Sequence, residues 1–272
     1  MIVAVADTGN ISRAADVVHR SQSAVSMQIK TLETALGKPP FVRKPRSVVP
    51  TQDGEVLLTY ARRMLALRDE AWAVVRPDVT GRVSIGVPDD YASSLLPPIL
   101  KKFSATYPKV EIQVVGLPSV ALAPMVKDGS VDLVCATRVK GLSGEFIRFE
   151  PMEWAAAPSA DEIWRERPLP IAVFLTGSVA RENAIRSLEH AKIPYRTSYE
   201  SPSLLGLLSM AEAGLAIVPL ARCAVPKHFA LLGSAQGLPE IAALEMVLAR
   251  STGSKRPPCD FLAEKILSEL RR

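Results

Sequence analysis

The hydrophobic pattern divides the chain into regions of different periodicity. Residues 1–50 carry short helical patterns, and residues 51–76 carry one long helical pattern. The short patterns are interrupted at Gly9-Asn10, at His19-Arg20 and at residues 37–40. A linker at residues 76–81 contains Pro77 and Gly81, which stop a helix. Beyond it, strand and helix patterns alternate, so we expect a small helical domain, a linker helix and a larger α/β domain.

The larger region contains seven predicted strands. They are Val83–Val87, Val110–Val115, Val131–Ala136, Ile171–Leu175, Tyr195–Tyr199, Leu215–Pro219 and Leu244–Ala249. The predicted helices are Ser94–Tyr107, Val120–Lys127, Ser178–Lys192, Ser203–Ala213 and an amphipathic segment at Cys259–Arg272. Strands that alternate with helices in this way favour α/β lobes with mostly parallel sheets.

Two of the N-terminal helices are arranged as a helix-turn-helix. Asn10 or Ser12 caps the first helix, and Ser21 caps the second, which covers Gln22–Leu36 and ends at Gly37. One side of the second helix is an apolar stripe of Val25, Ile29, Leu32 and Leu36. The opposite side is polar and suits the major groove of DNA, although an ordinary solvent-exposed face has the same composition.

The candidate DNA contacts follow from that polar side. They are Ser12, Ser21, Gln22, Ser23, Ser26, Met27 and Lys30. Gln22 can pair with adenine, Met27 can touch a thymine methyl group, and Lys30 suits a phosphate. Residues 39–50 then place two β-prone stretches around a basic turn, which predicts a wing. Arg43 and Arg46 of this wing would lie on phosphates or in the minor groove.

The charge distribution agrees with a nucleic-acid face at this end of the chain. The net charge of the whole chain is +5. Between Arg13 and Arg46 there are seven basic and two acidic residues, which accounts for that entire excess. A basic surface exposed only to solvent would produce the same charge, so the charge indicates DNA binding only in combination with the helix-turn-helix motif.

The order of these residues resembles that of the LysR-type transcriptional regulators. The matching segments are 4–15, 21–33, 36–37, 41–43 and 51–54, followed by 95–97, 103, 107–108, 128–133 and 213–219. The resemblance implies an α/β chain with an N-terminal all-α winged helix-turn-helix, a long linker helix and a two-lobed domain like type II periplasmic binding proteins. It also implies double-stranded DNA, a small-molecule effector, a second copy of the chain and RNA polymerase as partners.

The chain departs from this family pattern at two places. Members usually have several more residues before the position of Met1, which predicts that translation begins upstream of it. Met27 stands where many members carry a basic residue, which weakens the base contact assigned there.

The predicted domains are residues 1–50 for DNA binding, 51–81 for the linker helix and hinge, and 82–272 for the effector. Within the last, one lobe covers 82–145 and 242–272, and the other covers 146–241. Thr51 opens the linker helix, which carries an a/d seam of Leu57, Tyr60, Met64, Leu67, Ala71 and Val74. Such a seam usually packs on its own domain. Here it joins two domains, so we expect it to pair with a second copy, as the family does in homodimers and homotetramers.

The effector is expected at the carboxyl ends of the strands and at helix N-termini. The candidate residues are Asp89, Asp90, Thr137, Thr176, Ser178 and Ser203. Each taken alone is more typical of a turn or a helix cap, whereas together they indicate a cleft. The family often has Ser or Thr where this chain has Asp89 and Asp90. Either an aspartate lines the cleft and selects an effector with a hydrogen-bond donor, or one caps a helix at 92–107 and the other faces water.

Two other functions compete with a regulator. An enzyme would need a catalytic motif, but the three histidines are scattered and no nucleophile or phosphate-loop motif is present. A secreted solute-binding protein would explain residues 82–272 but not the first 80, and the start does not resemble a signal peptide. The expected location is the cytoplasm. The three cysteines lack metal-ligand spacing, so no metal or cofactor is expected, and buried structural thiols are favoured over a peroxide sensor.

Overall fold

The computed structural model of the chain describes residues 1–44, 47–75 and 79–271, without the side chains of residues 43, 66, 69, 70 and 72–75. These residues form two compact units, one within residues 1–75 and one within residues 79–270.

The N-terminal unit is a three-helix core with a two-stranded wing and a long helix. Its elements are α1 (Ile2–Thr8), α2 (Ile11–Val17), α3 (Gln22–Leu36), β1 (Phe41–Lys44), β2 (Ser47–Pro50) and α4 (Gln52–Val75). The core is formed by Val5, Ala14, Ala15, Val25, Ile29 and Phe41. The alanines let α2 cross its neighbours closely. The wing strands pair antiparallel, with Arg43 opposite Val48.

Local capping explains where these helices begin and end. The Asn10 side chain accepts hydrogen bonds from the N–H groups of Ser12 and Arg13, so Asn10, and not Ser12, caps α2. The Ser21 hydroxyl caps α3 by accepting from the N–H of Ala24 at 3.2 Å. Gly37 ends α3 in the left-handed conformation with φ of 67°, which favours glycine.

The second unit contains the remaining elements. They are β3 (Gly81–Val87), α5 (Asp89–Ser94), α6 (Leu96–Thr106), β4 (Val110–Gly116), α7 (Ser119–Asp128), β5 (Leu133–Thr137), β6 (Glu145–Ala156), β7 (Leu169–Phe174), α8 (Val179–His190), β8 (Tyr195–Ser201), α9 (Leu204–Glu212), β9 (Val218–Ala221), β10 (Ala230–Leu232), β11 (Ile241–Arg250) and α10 (Cys259–Leu270). All seven predicted strands have a counterpart, and β6 and β10 are additional.

The sheet topology corrects the expectation of mostly parallel sheets. The larger sheet has the order β10-β6-β11-β5-β3-β4, and β9 also pairs with β6. Only β3–β4, β3–β5 and β7–β8 are parallel pairs, whereas β6 and β11 form antiparallel pairs with all their neighbours. The reason is that β6 and β11 carry the chain between the lobes in opposite directions.

The C-terminal helix returns to the first lobe after this crossing. The rings of Tyr107 at the end of α6 and Phe261 of α10 stack with centroids 5.1 Å apart. The Lys102 ammonium also lies 2.7 Å from the Glu269 carboxylate. The two contacts fix α10 against α6, so the last helix completes the lobe that the first strands began.

We expect Gly144→Ala to destabilise the second unit. A Cβ at Gly144 would lie 2.5 Å from the backbone oxygen of Leu248 on β11, and paired backbone cannot move away without breaking the ladder. The expected loss is about 1–3 kcal/mol in the free energy of unfolding, measured by urea denaturation. Gly253→Ala is the control, because a Cβ there meets nothing within 4 Å. Equal unfolding midpoints for both variants would contradict this account of the crossing.

Candidate functional site

The first candidate surface is the exposed side of α3. Val25 and Ile29 are buried in the core of the N-terminal unit, which turns the other side of α3 to solvent. Gln22, Ser23, Met27 and Lys30 are exposed there, and Ser26 is half-buried. The Ser21 hydroxyl is already used, because it caps the helix and lies 3.0 Å from the Ser23 hydroxyl. Ser21 is therefore better placed to fix α3 than to read a base.

The wing and the start of α2 form an open hollow beside α3. The hollow has a volume of about 210 Å³ and is lined by Gly9, Asn10, Ile11, Ser12, Gln22, Lys44, Ser47 and Val48. The N–H of Val48 donates to the Gly9 oxygen at 2.7 Å, which fastens the wing to the α1–α2 turn. The structure thus brings Ser12 and Gln22 together with Lys44 and Ser47.

Neither Lys44 nor Ser47 is among the residues predicted from the sequence for this surface. The signal was present in the basic turn, but only the strand pairing reveals which of its residues approach α2. The side chain of Arg43 and the whole of Arg46 lie outside the described residues, so their expected contacts stay predictions.

The a/d seam of α4 faces away from its own unit. Leu58 of α4 is buried, with 1% exposure, whereas Tyr60, Met64 and Leu67 are 54%, 71% and 65% exposed. Leu57 is half-buried, Ala71 is exposed, and the side chain of Val74 lies outside the described residues. An ion pair of 2.7 Å between Arg62 and Asp7 holds α4 against α1. The seam therefore presents large apolar side chains that this unit does not cover.

The second unit contains a cavity of about 400 Å³. Its lining includes all six residues expected to bind an effector, namely Asp89, Asp90, Thr137, Thr176, Ser178 and Ser203. They come together because β3, β4, β5 and β7 all end at this cavity. The carboxyl ends of parallel strands are the usual place for a ligand in such sheets.

Four helices of the described chain begin at or directly beside this cavity. They are α5 at Asp89, α7 at Ser119, α8 at Val179 and α9 at Leu204. The Ser203 hydroxyl accepts a hydrogen bond from the N–H of Gly206 at 3.3 Å and so caps α9. Ser178 stands at the same position before α8, but its hydroxyl makes no capping bond. The two serines therefore differ, because the Ser203 hydroxyl already accepts one hydrogen bond whereas the Ser178 hydroxyl caps no N–H group.

The aspartates lie in the first turn of α5, which begins at Asp89. No helix begins at Ala92, so the interpretation that one aspartate caps a helix at 92–107 is wrong. Pro88 occupies the N-cap position and makes no side-chain capping bond. Asp89 is exposed and its Oδ1 would lie 3.1 Å from a Cβ placed on Gly116. Asp90 is buried, with 9% exposure.

Burial determines the protonation of Asp90. The pKa of this carboxyl is raised to about 6, mainly by removal from water, and the charges of Asp89 and Glu150 act in the same direction. The N–H of Tyr91, which donates to Asp90 Oδ1 at 3.0 Å, opposes the rise. Asp90 is therefore mostly ionised at neutral pH, although it is buried.

The residues behind Asp90 are engaged with one another. The Tyr91 and Thr137 hydroxyls lie 2.8 Å apart, and both side chains are buried. Burial raises the pKa of Tyr91 well above its usual value, which keeps the phenol neutral. Thr137 was predicted from the sequence but Tyr91 was not, because an aromatic residue in a helix pattern is typical of a core.

A partly buried ion pair lies near Asp90, between Arg148 and Glu150. Arg148 donates to Glu150 Oε2 at 2.9 Å and to the Leu270 oxygen at 3.3 Å. The other carboxylate oxygen of Glu150 accepts from the N–H of Cys223 at 2.9 Å. Arg148 is therefore used to neutralise Glu150 and to bind the end of α10.

The cysteines fit structural roles. Cys135 and Cys259 are buried, and burial raises their pKa values to about 12 and about 11, so both remain thiols. Burial also raises the pKa of Cys223. Within the described part of the chain, no three side chains of His, Cys, Asp or Glu form a metal-binding group. Nor does any described helix combine the length and apolar character needed to cross a bilayer.

Comparison with known proteins identifies both units. Residues 1–55 match the family described as bacterial regulatory helix-turn-helix protein, lysR family, and residues 76–268 match the LysR substrate binding domain. The chain is 35% identical to the HTH-type transcriptional regulator DgdR of Burkholderia cepacia, over 90% of this chain and 84% of that protein. It is 33% identical to the regulator PecT of Dickeya dadantii, over 92% of this chain and 79% of that protein.

Solved structures share the fold. Full-length CbnR in complex with its target DNA has a TM-score of 0.52 and 21% identity, over 99% of this chain and 96% of that chain. DarR of Vibrio fischeri in complex with DNA has a TM-score of 0.58 and 18% identity, over 98% and 96%. With family matches to both units, the chain belongs to the LysR family of DNA-binding transcription regulators and carries a LysR substrate-binding domain.

Proposed function

We propose that a small molecule in the cavity of the second unit controls how the chain regulates transcription from its DNA site. The observation that carries this proposal is the convergence of six polar residues, each expected at a strand end or a helix start, on one cavity of about 400 Å³. That volume lies in the range of small-molecule sites. Residues 1–50 would bind DNA, 51–81 would link and pair the chains, and 82–272 would bind the effector.

The proposal also covers the cellular setting. A regulator works where the chromosome and RNA polymerase are, so the cytoplasm is the location and RNA polymerase the further partner. Catalysis is not part of the proposed function. The described residues that line the cavity include no histidine, cysteine or lysine.

On the DNA side, α3 enters the major groove and the wing contacts the backbone. Gln22, Ser23 and Ser26 are short or bidentate polar groups suited to base edges. Lys44, at the end of β1, suits a phosphate. The hollow between α2, α3 and the wing supports this division, because Gln22 and Lys44 both border it.

The α4 seam supplies the contact between two copies. Tyr60, Met64 and Leu67 are too large and too exposed to remain in water along a helix that spans 24 residues. A second α4 covers them and gives the chain two DNA-binding units, which matches two half-sites.

The cavity can be tested by filling it. Val120 lines the cavity and is 49% exposed, so Val120→Trp places an indole in it without disturbing the core. We expect this variant to bind DNA upstream of its own gene as the wild type does, and to lose any response of that binding to metabolites. The measurement is fluorescence anisotropy with a library of neutral, cationic and anionic metabolites.

Val114→Trp is the matched control for this prediction. Val114 is 44% exposed on β4 and does not line the cavity. This variant should keep the wild-type response. A response that survives Val120→Trp undiminished would contradict an effector site in the cavity.

Base reading by α3 is tested with two glutamines of one helix. We expect Gln22→Ala to weaken binding to the specific site by about 1–3 kcal/mol and to leave binding to random DNA nearly unchanged. Gln28→Ala is the control, because Gln28 is exposed but lies on a different side of α3. Gel-shift titrations on both DNAs provide the measurement.

Lys44→Ala should behave differently in the same assay. The loss of one phosphate contact lowers affinity for both DNAs and reduces the slope of log K against log salt by about 0.9. Lys38→Ala, at an exposed lysine 3.2 Å from Asp53, should leave that slope unchanged. If Gln22→Ala weakened binding to both DNAs equally, its assignment to a base would be wrong.

Pairing through α4 predicts a change in mass. The double substitution Met64→Glu and Leu67→Glu places charges in the apolar seam and should convert the protein to monomers that bind the DNA site poorly. Sedimentation velocity measures the mass. Thr59→Glu, at an exposed position off the seam, should leave the oligomer intact. An unchanged sedimentation coefficient for the double variant would refute pairing through this seam.

A further inference from the structure

The cavity has one acidic wall with no balancing cation. Asp89 and Asp90 are the charged side chains among the described residues that line it. Asp90 is buried and accepts from the N–H of Tyr91, and no described side chain forms a hydrogen bond or ion pair with it. Arg148 could have balanced it, but its guanidinium is bound to Glu150 and to the Leu270 oxygen. A buried carboxylate is costly unless it is paired, so the site favours a ligand that brings a positive charge.

The wall built by α8 has the opposite preference. Its first intrahelical hydrogen bond runs from the N–H of Glu182 to the Ser178 oxygen. The N–H groups of Val179 and Ala180 therefore have no acceptor within the helix, and both residues line the cavity. The uncapped Ser178 hydroxyl adds a third donor. Free N–H groups at the positive end of a helix favour a carboxylate.

The rest of the cavity is apolar. The apolar side chains are those of Leu117, Val120, Val139, Phe174, Leu175 and Leu244. They leave room for a small hydrocarbon body between the acidic wall and the donors of α8. At about 400 Å³, the cavity lies near the lower end of the range for small-molecule sites, which favours a small ligand.

We propose that the effector is a zwitterionic amino acid with a small apolar side chain. Its ammonium group binds at Asp89 and Asp90, and its carboxylate binds at the start of α8 and at the Ser178 hydroxyl. This proposal rests on the proposed function, because it names the ligand class of the same cavity. A simple monoacid can bind only the N–H groups at the start of α8, and it brings a negative charge near the aspartates. A simple amine satisfies only the aspartates, so full affinity requires both groups on one molecule.

The test compares each amino acid with analogues that lack one charged group. Alanine, valine, leucine and phenylalanine are added singly to the full-length protein, beside the amine without the carboxylate and the acid without the ammonium. Thermal unfolding and isothermal titration calorimetry give the stabilisation and the dissociation constant. We expect at least one amino acid to bind, and both of its analogues to bind at least about tenfold more weakly, because each loses a charge-assisted hydrogen bond.

Two variants assign the two ends of the ligand. Asp90→Asn should weaken binding of the amino acid by about ten- to hundredfold and leave binding of its ammonium-free acid unchanged or stronger. Ser178→Ala should weaken binding of the amino acid and leave binding of the carboxylate-free amine unchanged. This second variant is expected to fold normally, since the Ser178 hydroxyl makes no capping bond. Asp161→Asn, an exposed residue outside the cavity, is the control for the loss of one acid and should bind as the wild type does.

The outcomes separate this proposal from the proposed function. The proposal of a zwitterionic ligand is overturned if the ammonium-free acid binds as tightly as its parent amino acid. It is also overturned if the carboxylate-free amine binds as tightly. Stabilisation by other metabolites of the library, when none of the four amino acids binds, overturns the zwitterionic ligand as well. The proposed function stands in that case. Failure of every library compound to change either stability or DNA binding overturns both. If an amino acid binds equally well to the wild type, Asp90→Asn and Ser178→Ala, then it does not bind in this cavity.

Discussion

The second unit depends on the antiparallel pairing of β6 and β11. These strands carry the chain between the lobes in opposite directions, and their backbones are hydrogen-bonded side by side from Glu145 to Met152. The pairing joins β9 and β10 to the sheet of β3, β4 and β5, and it brings Leu244 of β11 to the cavity. The missing side chain at Gly144 lets the two backbones approach where the ladder begins.

Charge is distributed unevenly around this crossing. β6 carries both Arg148 and Glu150, which neutralise each other and are partly shielded from water. Asp90 lies near enough for Glu150 to raise the pKa of its carboxyl, yet the guanidinium is already committed. The ion pair therefore leaves Asp90 of the cavity without a cationic partner among the described side chains. The geometry of the connection and the chemistry of the cavity are linked through one arginine.

The sequence predicted most elements, and its failures have physical causes. Strands such as Ile171–Leu175 are continuous apolar runs that end at turn residues, so the local pattern is sufficient to predict them. β6 was missed because charged residues and Pro151 interrupt its apolar positions, and only pairing with β11 makes it a strand. The six cavity residues were found because strand ends and helix starts follow from the same pattern. The burial of Asp90 and the engagement of Arg148 were not predictable, since both depend on residues distant in the sequence.

The exposed seam of α4 has a consequence for how the regulator responds to its own abundance. With α4 paired as proposed, the species that occupies the operator is a dimer, whose concentration rises with the square of the chain concentration when monomers predominate. Occupancy would then change more steeply with the number of chains in the cell than one-to-one binding allows. Tyr60, Met64 and Leu67 would thereby set a threshold in gene expression, although none of them is among the residues assigned to DNA or effector.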